Sequence, residues 1–477
     1  MNQFTVTFQP DNRRVTVPEN TTLLQAQILA GLRPDAPCGG KGTCGKCRVD
    51  LDGEIILACQ TPVCRDMTVS TAREEDVQIL TTGHRVTTEP DREHDYVLAF
   101  DIGTTTVVVY LLDGHTGTLL AQDSAVNPQS QFGADVISRI QYALAEGSDA
   151  VSGCIRETMT RLTVEVAARA GIAESEITAS AIVGNTAMHH LLLNIDPKPL
   201  VTPPYMPTVA EAMELGGARI LPNIAGFVGG DTVGCMLAIR FDQLEELSLL
   251  IDIGTNGEMV MGDKNRRIAC STAAGPAFEG AKISCGMRGA EGAVDHVTVE
   301  NGQIRYHTIG DAPPRGLCGS GLLDLIAVLL EQDIIDETGR LENKQFSLCD
   351  NVVLTQKDVR EVQLAKAAIR AGIELLAEEL EVKLSDIRRV YLAGAFGNYM
   401  DPASACRIGM IPPVLLDRIV PIGNAAGEGA KLCALSRAEF SYSRQLATNT
   451  EFLELASLAQ FQDCYVNALE FCEEDHP

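Results

Sequence analysis

Period-two alternation opens the chain. Phe4–Thr5–Val6–Thr7–Phe8 places apolar side chains on one face and polar ones on the other, which predicts a strand. Asp11–Asn12 turns it into a second strand, Arg14–Val17, completing a hairpin. Thr22 then caps a predicted helix over Leu23–Ala30, and Gly31 ends it. Short strands are predicted at Arg48–Leu51, at Ile55–Ala58 and near Met67–Ser70. Between residues 73 and 96 the pattern fails; charge and threonine dominate, and the stretch reads as a linker or a small docking segment.

From Val97 the pattern returns in a different form. An apolar run ends in Asp101–Ile102–Gly103–Thr104–Thr105 and continues as a second apolar run, Thr106–Tyr110. Leu249–Leu250–Ile251 runs in the same way into Asp252–Ile253–Gly254–Thr255–Asn256 and on to Val260, 151 residues later. Recurrence of Asp-Ile-Gly-Thr at that distance is an internal repeat on the scale of a domain. A third buried strand, Arg389–Leu392, breaks into Ala393–Gly394–Ala395–Phe396–Gly397. Gly319–Ser320–Gly321 opens an apolar helix, Leu322–Leu330. The last stretch, 436–477, spaces Phe440, Phe452, Leu453, Leu455, Leu458 and Phe461 as an amphipathic tail packed on what precedes it.

Chemistry concentrates first in Cys38, Cys44, Cys47 and Cys59, spaced C-x5-C-x2-C-x11-C in a loop with glycines at 39, 40, 42 and 45. Thiolates at this density hold zinc or an iron–sulfur cluster. Zinc ribbons show two C-x2-C pairs, whereas three clustered cysteines with a distant fourth follow the logic of a 2Fe–2S ferredoxin. Glycines supply the φ > 0 turns and the N–H groups aimed at sulfur. Cys64 is the competing ligand to Cys59. Two decoys overlap the loop. Gly40-x-Gly42-x-x-Gly45 lacks the strand and helix of a dinucleotide fingerprint, and a P-loop needs Ser or Thr where Cys47 stands.

The repeated Asp-Ile-Gly-Thr turn has the makings of a phosphate-holding hairpin. Glycine lets backbone approach an oxygen, Thr hydroxyls and N–H groups donate, and the carboxylate holds a hydrated metal ion or orients water. Two facing copies clamp a nucleotide between lobes. The N-terminus of the helix after Gly319–Ser320 favours an anion.

Composition narrows the classes. A net charge of −26 argues against a nucleic-acid partner. No apolar run has the length of a membrane span, and no signal peptide is legible. Fifteen cysteines, scattered mostly singly among apolar residues, point to reduced thiols and a cytoplasmic location.

Residues 1–72, with their Cys-Gly-Gly-x-Gly-x-Cys-Gly-x-Cys phrase, resemble the β-grasp 2Fe–2S ferredoxins. The two Asp-Gly-Thr hairpins and Ala-Gly-Ala-Phe-Gly resemble the phosphate and adenosine motifs of the actin, sugar-kinase and heat-shock-chaperone (ASKHA) ATPases. Together the halves resemble the ATP-dependent reductive activators of corrinoid proteins. The resemblance implies an α/β multidomain chain: the ferredoxin domain (1–72), a linker (73–96), two ribonuclease-H-like lobes (97–244 and 245–435) and the tail (436–477). Longer members of the family carry a further segment between the two halves, where only about 24 residues intervene here. The sequence 181–186 and the Asp401–Pro402 stretch are expected at the helices connecting the lobes.

The same resemblance implies residue roles. Cys38, Cys44, Cys47 and Cys59 hold the cluster, and Asp101 and Asp252 organise Mg2+ and the hydrolytic water. Gly103, Thr104, Thr105, Gly254, Thr255 and Asn256 face phosphates, Asp231 completes the metal shell, and Gly319 and Ser320 take an anion. Gly394, Gly397 and Glu279 frame the adenosine. Ser271 and Thr272 are candidates for weak-field hydroxyls near cobalt, and are equally compatible with the nucleotide side or with a purely structural role. The implied activity passes one electron from the cluster to Co(II), regenerating Co(I) in a corrinoid-binding protein of a methyltransferase or O-demethylase system. An upstream low-potential donor supplies the electron, and a homodimer is possible. A plant-type cluster near about −400 mV falls short of cobalt, and a gap of roughly 100–200 mV costs about 2–5 kcal/mol, within reach of nucleotide turnover. Rival readings are an activator of 2-hydroxyacyl-CoA dehydratases, a small-molecule kinase with a redox sensor, and an electron carrier with a vestigial ATPase.

Overall fold

The structure is a computed structural model and describes residues 2–32, 34, 36, 40, 42, 47–71, 80–83 and 87–471. Its N-terminal sheet contains β1 (Gln3–Gln9), β2 (Arg13–Pro18), β3 (Arg48–Leu51), β4 (Glu54–Leu57) and β5 (Met67–Ser70) in the order β2-β1-β5-β3-β4. β1 and β5 run parallel while the other pairs are antiparallel. Across the sheet lies α1 (Leu23–Leu29). It starts where Thr22 accepts from the Gln25 amide and Gln25 returns the bond, a capping box. Leu23, Leu24 and Ala26 bury against Val6, Phe8, Val17 and Val69, so the alternation of β1 becomes one wall of this core. This is a β-grasp domain.

The next sheet holds β6 (Tyr96–Ile102), β7 (Thr106–Asp113), β8 (Leu119–Val126), β9 (Ile177–Gly184), β10 (Met213–Leu215) and β11 (Ala218–Ile220), in the order β10-β11-β9-β6-β7-β8. Its helices are α2 (Val136–Glu146), α3 (Asp149–Ala170), α4 (Thr186–Leu193) and α5 (Gly230–Ala238).

The last sheet holds β12 (Ser248–Ile253), β13 (Gly257–Gly262) and β14 (Arg267–Thr272). A three-stranded satellite follows, β15 (Ala293–Glu300), β16 (Gln303–Thr308) and β17 (Gly316–Leu317), then α6 (Gly319–Glu331). The hairpin β18 (Gln345–Cys349) and β19 (Val352–Thr355) leads into α7 (Gln356–Glu379). The main sheet resumes with β20 (Arg389–Ala393). Beyond it come α8 (Gly394–Tyr399), α9 (Pro402–Arg407), β21 (Ile419–Gly423), α10 (Ala425–Leu435), α11 (Arg437–Thr448), β22 (Glu451–Phe452) and α12 (Ala459–Asn467). Strand order is β21-β20-β12-β13-β14-β22.

The internal repeat is visible in the ladders. β6 pairs parallel with β9 and antiparallel with β7, which pairs antiparallel with β8. β12 repeats this with β20, β13 and β14. The outer faces are covered by α3 and α7, whose buried stripes close two separate cores. Between the sheets α5 and α10 share one core with Val97, Ala99, Leu250 and Val260. These two helices cross at glycine: a Cβ on Gly429 would stand 2.3 Å from the Gly234 carbonyl.

Two sequence expectations are corrected here. Residues 181–184 end strand β9, and Asn185 caps α4 through the Met188 amide at 3.0 Å. Asp401 caps the six-residue α9, which packs on α6. The helices between the sheets are α5 and α10. In the tail, α11 packs on α10 and α5, β22 pairs with β14 and α12 lies on α7.

Candidate nucleotide cleft and cysteine site

The two Asp-Ile-Gly-Thr turns close alike. Gly103 N–H donates to the Thr106 carbonyl and Gly254 N–H to the Asn256 carbonyl, each at 2.9 Å. Both turns open on one cleft of about 360 Å³ between the sheets. Its lining brings together Asp101, Gly103, Thr104, Thr105, Asp231, Asp252, Gly254, Thr255, Asn256, Glu279, Gly319, Ser320 and Gly394. Gly397, Ser271 and Thr272 are not among the lining residues. Gly397 lies in α8 against Leu392. Thr272 is buried on β14 and donates to the Gly257 carbonyl at 3.3 Å, while strand alternation turns Ser271 to the other face, opposite Glu258.

Four carboxylates meet in the cleft with little compensation. Asp252 stands opposite Glu258 in the β12–β13 register, Asp101 ends β6, and Asp231 lies in the first turn of α5. Arg288 is the one lysine or arginine among the lining residues. Burial pushes Asp101 up to about 6; a hydrogen bond from Asn424 opposes that and the Asp252 charge adds to it. Burial likewise raises Asp252 to about 6. Asp231 and Glu258 move in the same direction, from burial first and then from their neighbours' charge. Oxygen donors of this kind are those a hard divalent cation takes, although among the described residues no three His, Cys, Asp or Glu side chains converge as a metal cage.

Glu279, expected to frame the adenosine, makes its side-chain bonds to the two hairpins. Its carboxylate accepts from Thr105 Oγ1 and from Thr255 Oγ1, each at 2.6 Å, and so bridges the two hairpins. Asn185 Nδ2 donates to Thr104 Oγ1 at 2.9 Å. Gly394 has φ +80°, and a Cβ there would lie 2.7 Å from Asp252 Oδ1; glycine lets the turn after β20 approach the carboxylate. The rings of Phe278 and Phe396 stack at 4.6 Å and 14° beside the N-terminus of α6. The dipole of such a helix end draws anions.

Sequence reasoning missed Glu258, Asn424, Met287, Asp295 and His296 as lining residues. A signal existed for Glu258, six residues after Asp252 in a predicted hairpin. For Asn424 none existed, because its partner Asp101 is 323 positions away.

In the β-grasp domain Cys47 and Cys59 are both buried and flank the same open end of the β3–β4 ladder, where Arg48 pairs with Leu57 and Ala58 N–H donates to the Cys47 carbonyl at 2.8 Å. Gln60 Nε2 approaches Cys59 Sγ at 3.8 Å. Gly40 and Gly42 adopt φ +83° and +75°, the left-handed turns a cluster loop requires. Cys38 and Cys44 lie outside the described residues. The burial of Cys47 and Cys59 and the turns at Gly40 and Gly42 fit a thiolate-held cluster, which these two cysteines would help to hold. By contrast, burial raises the thiol pKa values of Cys270 and Cys318 in the ATPase lobe, the reverse of what a cluster ligand needs.

A β-grasp domain with cluster-type cysteines, followed by twinned sheets around an acidic, phosphate-loop cleft, defines an iron–sulfur protein with an ASKHA-type ATPase. Comparison with known proteins carries this further. Residues 3–74 match a 2Fe–2S iron–sulfur cluster binding domain, 96–244 the RACo middle region and 246–477 the C-terminal ASKHA domain of RACo. The corrinoid activation enzyme RamQ of Eubacterium limosum is 33% identical over 95% of this chain and 96% of its own. The [Co(II) methylated amine-specific corrinoid protein] reductase of Methanosarcina barkeri is 27% identical, covering 80% of this chain and 78% of its own. A solved reductive activator for corrinoid, iron-sulfur protein superposes with a TM-score of 0.71 at 29% identity, covering 98% of both chains. The chain belongs to this family of corrinoid reductive activators.

Proposed function

We propose that this protein uses ATP in the cleft to drive one-electron reduction of cobalt, Co(II) to Co(I), in a separate corrinoid-binding protein of a methyltransferase or O-demethylase system. One observation carries the reading: a single polypeptide joins a β-grasp domain bearing Cys47 and Cys59 to two facing Asp-Ile-Gly-Thr hairpins bridged by Glu279. The cobalt is the partner's and is substrate here.

In the proposed division of labour, residues 1–72 carry the electron, 97–244 and 245–435 form the two halves of the clamp, and 436–477 brace it. When bound, the cluster supplies a one-electron relay and ATP with Mg2+ the free energy. The chain's own residues do the rest. Thr104, Thr105, Thr255 and Asn256 offer hydroxyl, amide and backbone donors to phosphate oxygens; Asp101, Asp231, Asp252 and Glu258 hold the cation and orient water. The two threonines that Glu279 bridges belong to different lobes, so transferring their hydroxyls to phosphate changes what holds the lobes together. That change is how turnover reaches the partner. An upstream low-potential donor and a homodimer complete the proposal.

Stimulation of ATP hydrolysis by the Co(II) form of a corrinoid protein, and not by hexoses or short acids, is the expected result. Phosphoryl transfer to a small molecule, indifferent to the corrinoid protein, would refute the reading.

A further inference from the structure

Residues 80–83 lie on the cluster-domain side of the ATPase in sequence and pack on the turn between β21 and α10. There the chain leaves β21 of one sheet, turns at Gly423 with φ +63°, and starts α10, which packs on β6 and β9 of the other sheet. The residue at the turn is Asn424, 8% exposed. Its Oδ1 accepts from the Gly427 amide at 2.8 Å and caps α10. Its Nδ2 donates to Asp101 Oδ2 at 2.8 Å and to the Leu80 carbonyl at 3.4 Å. Its backbone N–H donates to the Thr82 carbonyl at 2.9 Å.

The seat is built from both sides. Gly83 forms a bridge with Gly423. A Cβ on Gly423 would lie 2.3 Å from the Thr82 carbonyl, and one on Gly83 would lie 2.6 Å from the Asn424 carbonyl. Gly83 N–H donates to Glu428 Oε1 at 3.2 Å, and Lys431 Nζ pairs with the same oxygen at 2.7 Å. Gln122 Nε2 on β8 donates to Thr81 Oγ1 at 2.8 Å, and Leu80 itself lines the cleft. One amide thus touches the carboxylate of the first hairpin, the start of the helix between the sheets, and the tether of the cluster domain.

We infer that Asn424 is a positioning residue that couples the cleft to the cluster domain. It registers the angle between the lobes at Asp101 and passes it to the 80–83 segment. The inference rests on the reading that ATP acts in this cleft. A rotation of β21 against β6 cannot leave the Asn424 bonds to Asp101, Leu80 and Thr82 all in place, because both side-chain N–H groups are engaged, at Asp101 and at Leu80, while the backbone N–H holds Thr82. Whichever bond yields, the tether shifts with the nucleotide state.

The test uses the full chain and follows ATP hydrolysis and Co(II) reduction in parallel, with amide hydrogen exchange at 80–83. In the wild type, addition of a non-hydrolysable ATP analogue should change exchange at Gly83 at least tenfold. Asn424→Ala should lower kcat for ATP with KM within threefold, and abolish the exchange response. Gly83→Ala displaces the segment without touching the cleft carboxylates. It should lower Co(I) formed per ATP about tenfold, a ratio that is independent of any change in the rate of hydrolysis itself. If the analogue binds and alters exchange in the Thr104 and Thr255 loops but not at 80–83, or if Gly83→Ala keeps the wild-type Co(I) yield per ATP, the inference is overturned. If the analogue binds the wild type nowhere, the nucleotide reading itself has failed.

Discussion

Replacing Asp252 by Asn should make the protein more stable and catalytically dead. In the unfolded chain this carboxyl titrates near 3.8, and in the folded chain at about 6. Between those pH values the folded state holds the extra proton. Folding is therefore penalised as pH rises through the folded value, and the penalty disappears below the unfolded one. The gap corresponds to about 3 kcal/mol. Solvent at the cleft mouth screens part of it, leaving about 1–3 kcal/mol. Asn keeps the shape and removes the charge. The hydrogen bond it gives up is weak, a Cys235 thiol 3.8 Å from Asp252 Oδ2. With chelator present, urea unfolding followed by circular dichroism should show Asp252→Asn gaining that amount at pH 8 and almost nothing at pH 4, while ATP hydrolysis falls to background. Magnesium should stabilise the wild type more than the variant. A variant no more stable at pH 8 than the wild type, or one that still turns over ATP, would refute the reasoning from an uncompensated acidic cluster.

Cys59→Ala should abolish the visible 2Fe–2S absorbance and acid-labile sulfide while leaving basal ATP hydrolysis within twofold; unchanged sulfide content would transfer the ligand role to Cys64. Gly394→Ala forces a side chain onto φ +80° and against Asp252 Oδ1; a loss of about 1–2 kcal/mol in stability with impaired hydrolysis is expected, and a neutral outcome would remove the close approach from the account. Glu279→Ala releases the Thr105 and Thr255 hydroxyls, so titration calorimetry should show ATP binding about tenfold tighter, and weaker binding would make Glu279 a holder of the nucleotide instead.

The parts legible in the sequence are those written locally. Period-two alternation and the Thr22 cap place β1 and α1, and the two copies of Asp-Ile-Gly-Thr mark two antiparallel hairpins, the second with a turn one residue shorter. The connecting helices are misplaced by sequence because Ala181–Gly184 is a short apolar run, which periodicity cannot assign to strand or helix. α10 is hidden by Gly427 and Gly429, poor helix formers that are present because Gly429 must approach Gly234. Ser271 and Thr272 follow a small-residue pattern that suggests a loop, yet they alternate along a strand. The bonds Glu279 makes to Thr105 and Thr255 carry no local mark, since bridging two hairpins is a property of the assembled lobes. Asn424 depends on two stretches more than 300 residues away and carries no local mark.

The central claim is that nucleotide turnover in this cleft moves an electron uphill to cobalt. Mixing the cluster-loaded protein with a Co(II) corrinoid protein and a low-potential reductant, and following the cobalt absorbance, tests it most directly. Conversion to the Co(I) spectrum should occur with ATP and fail without it, or with Asp252→Asn. Equal conversion with nucleotide withheld would contradict the account.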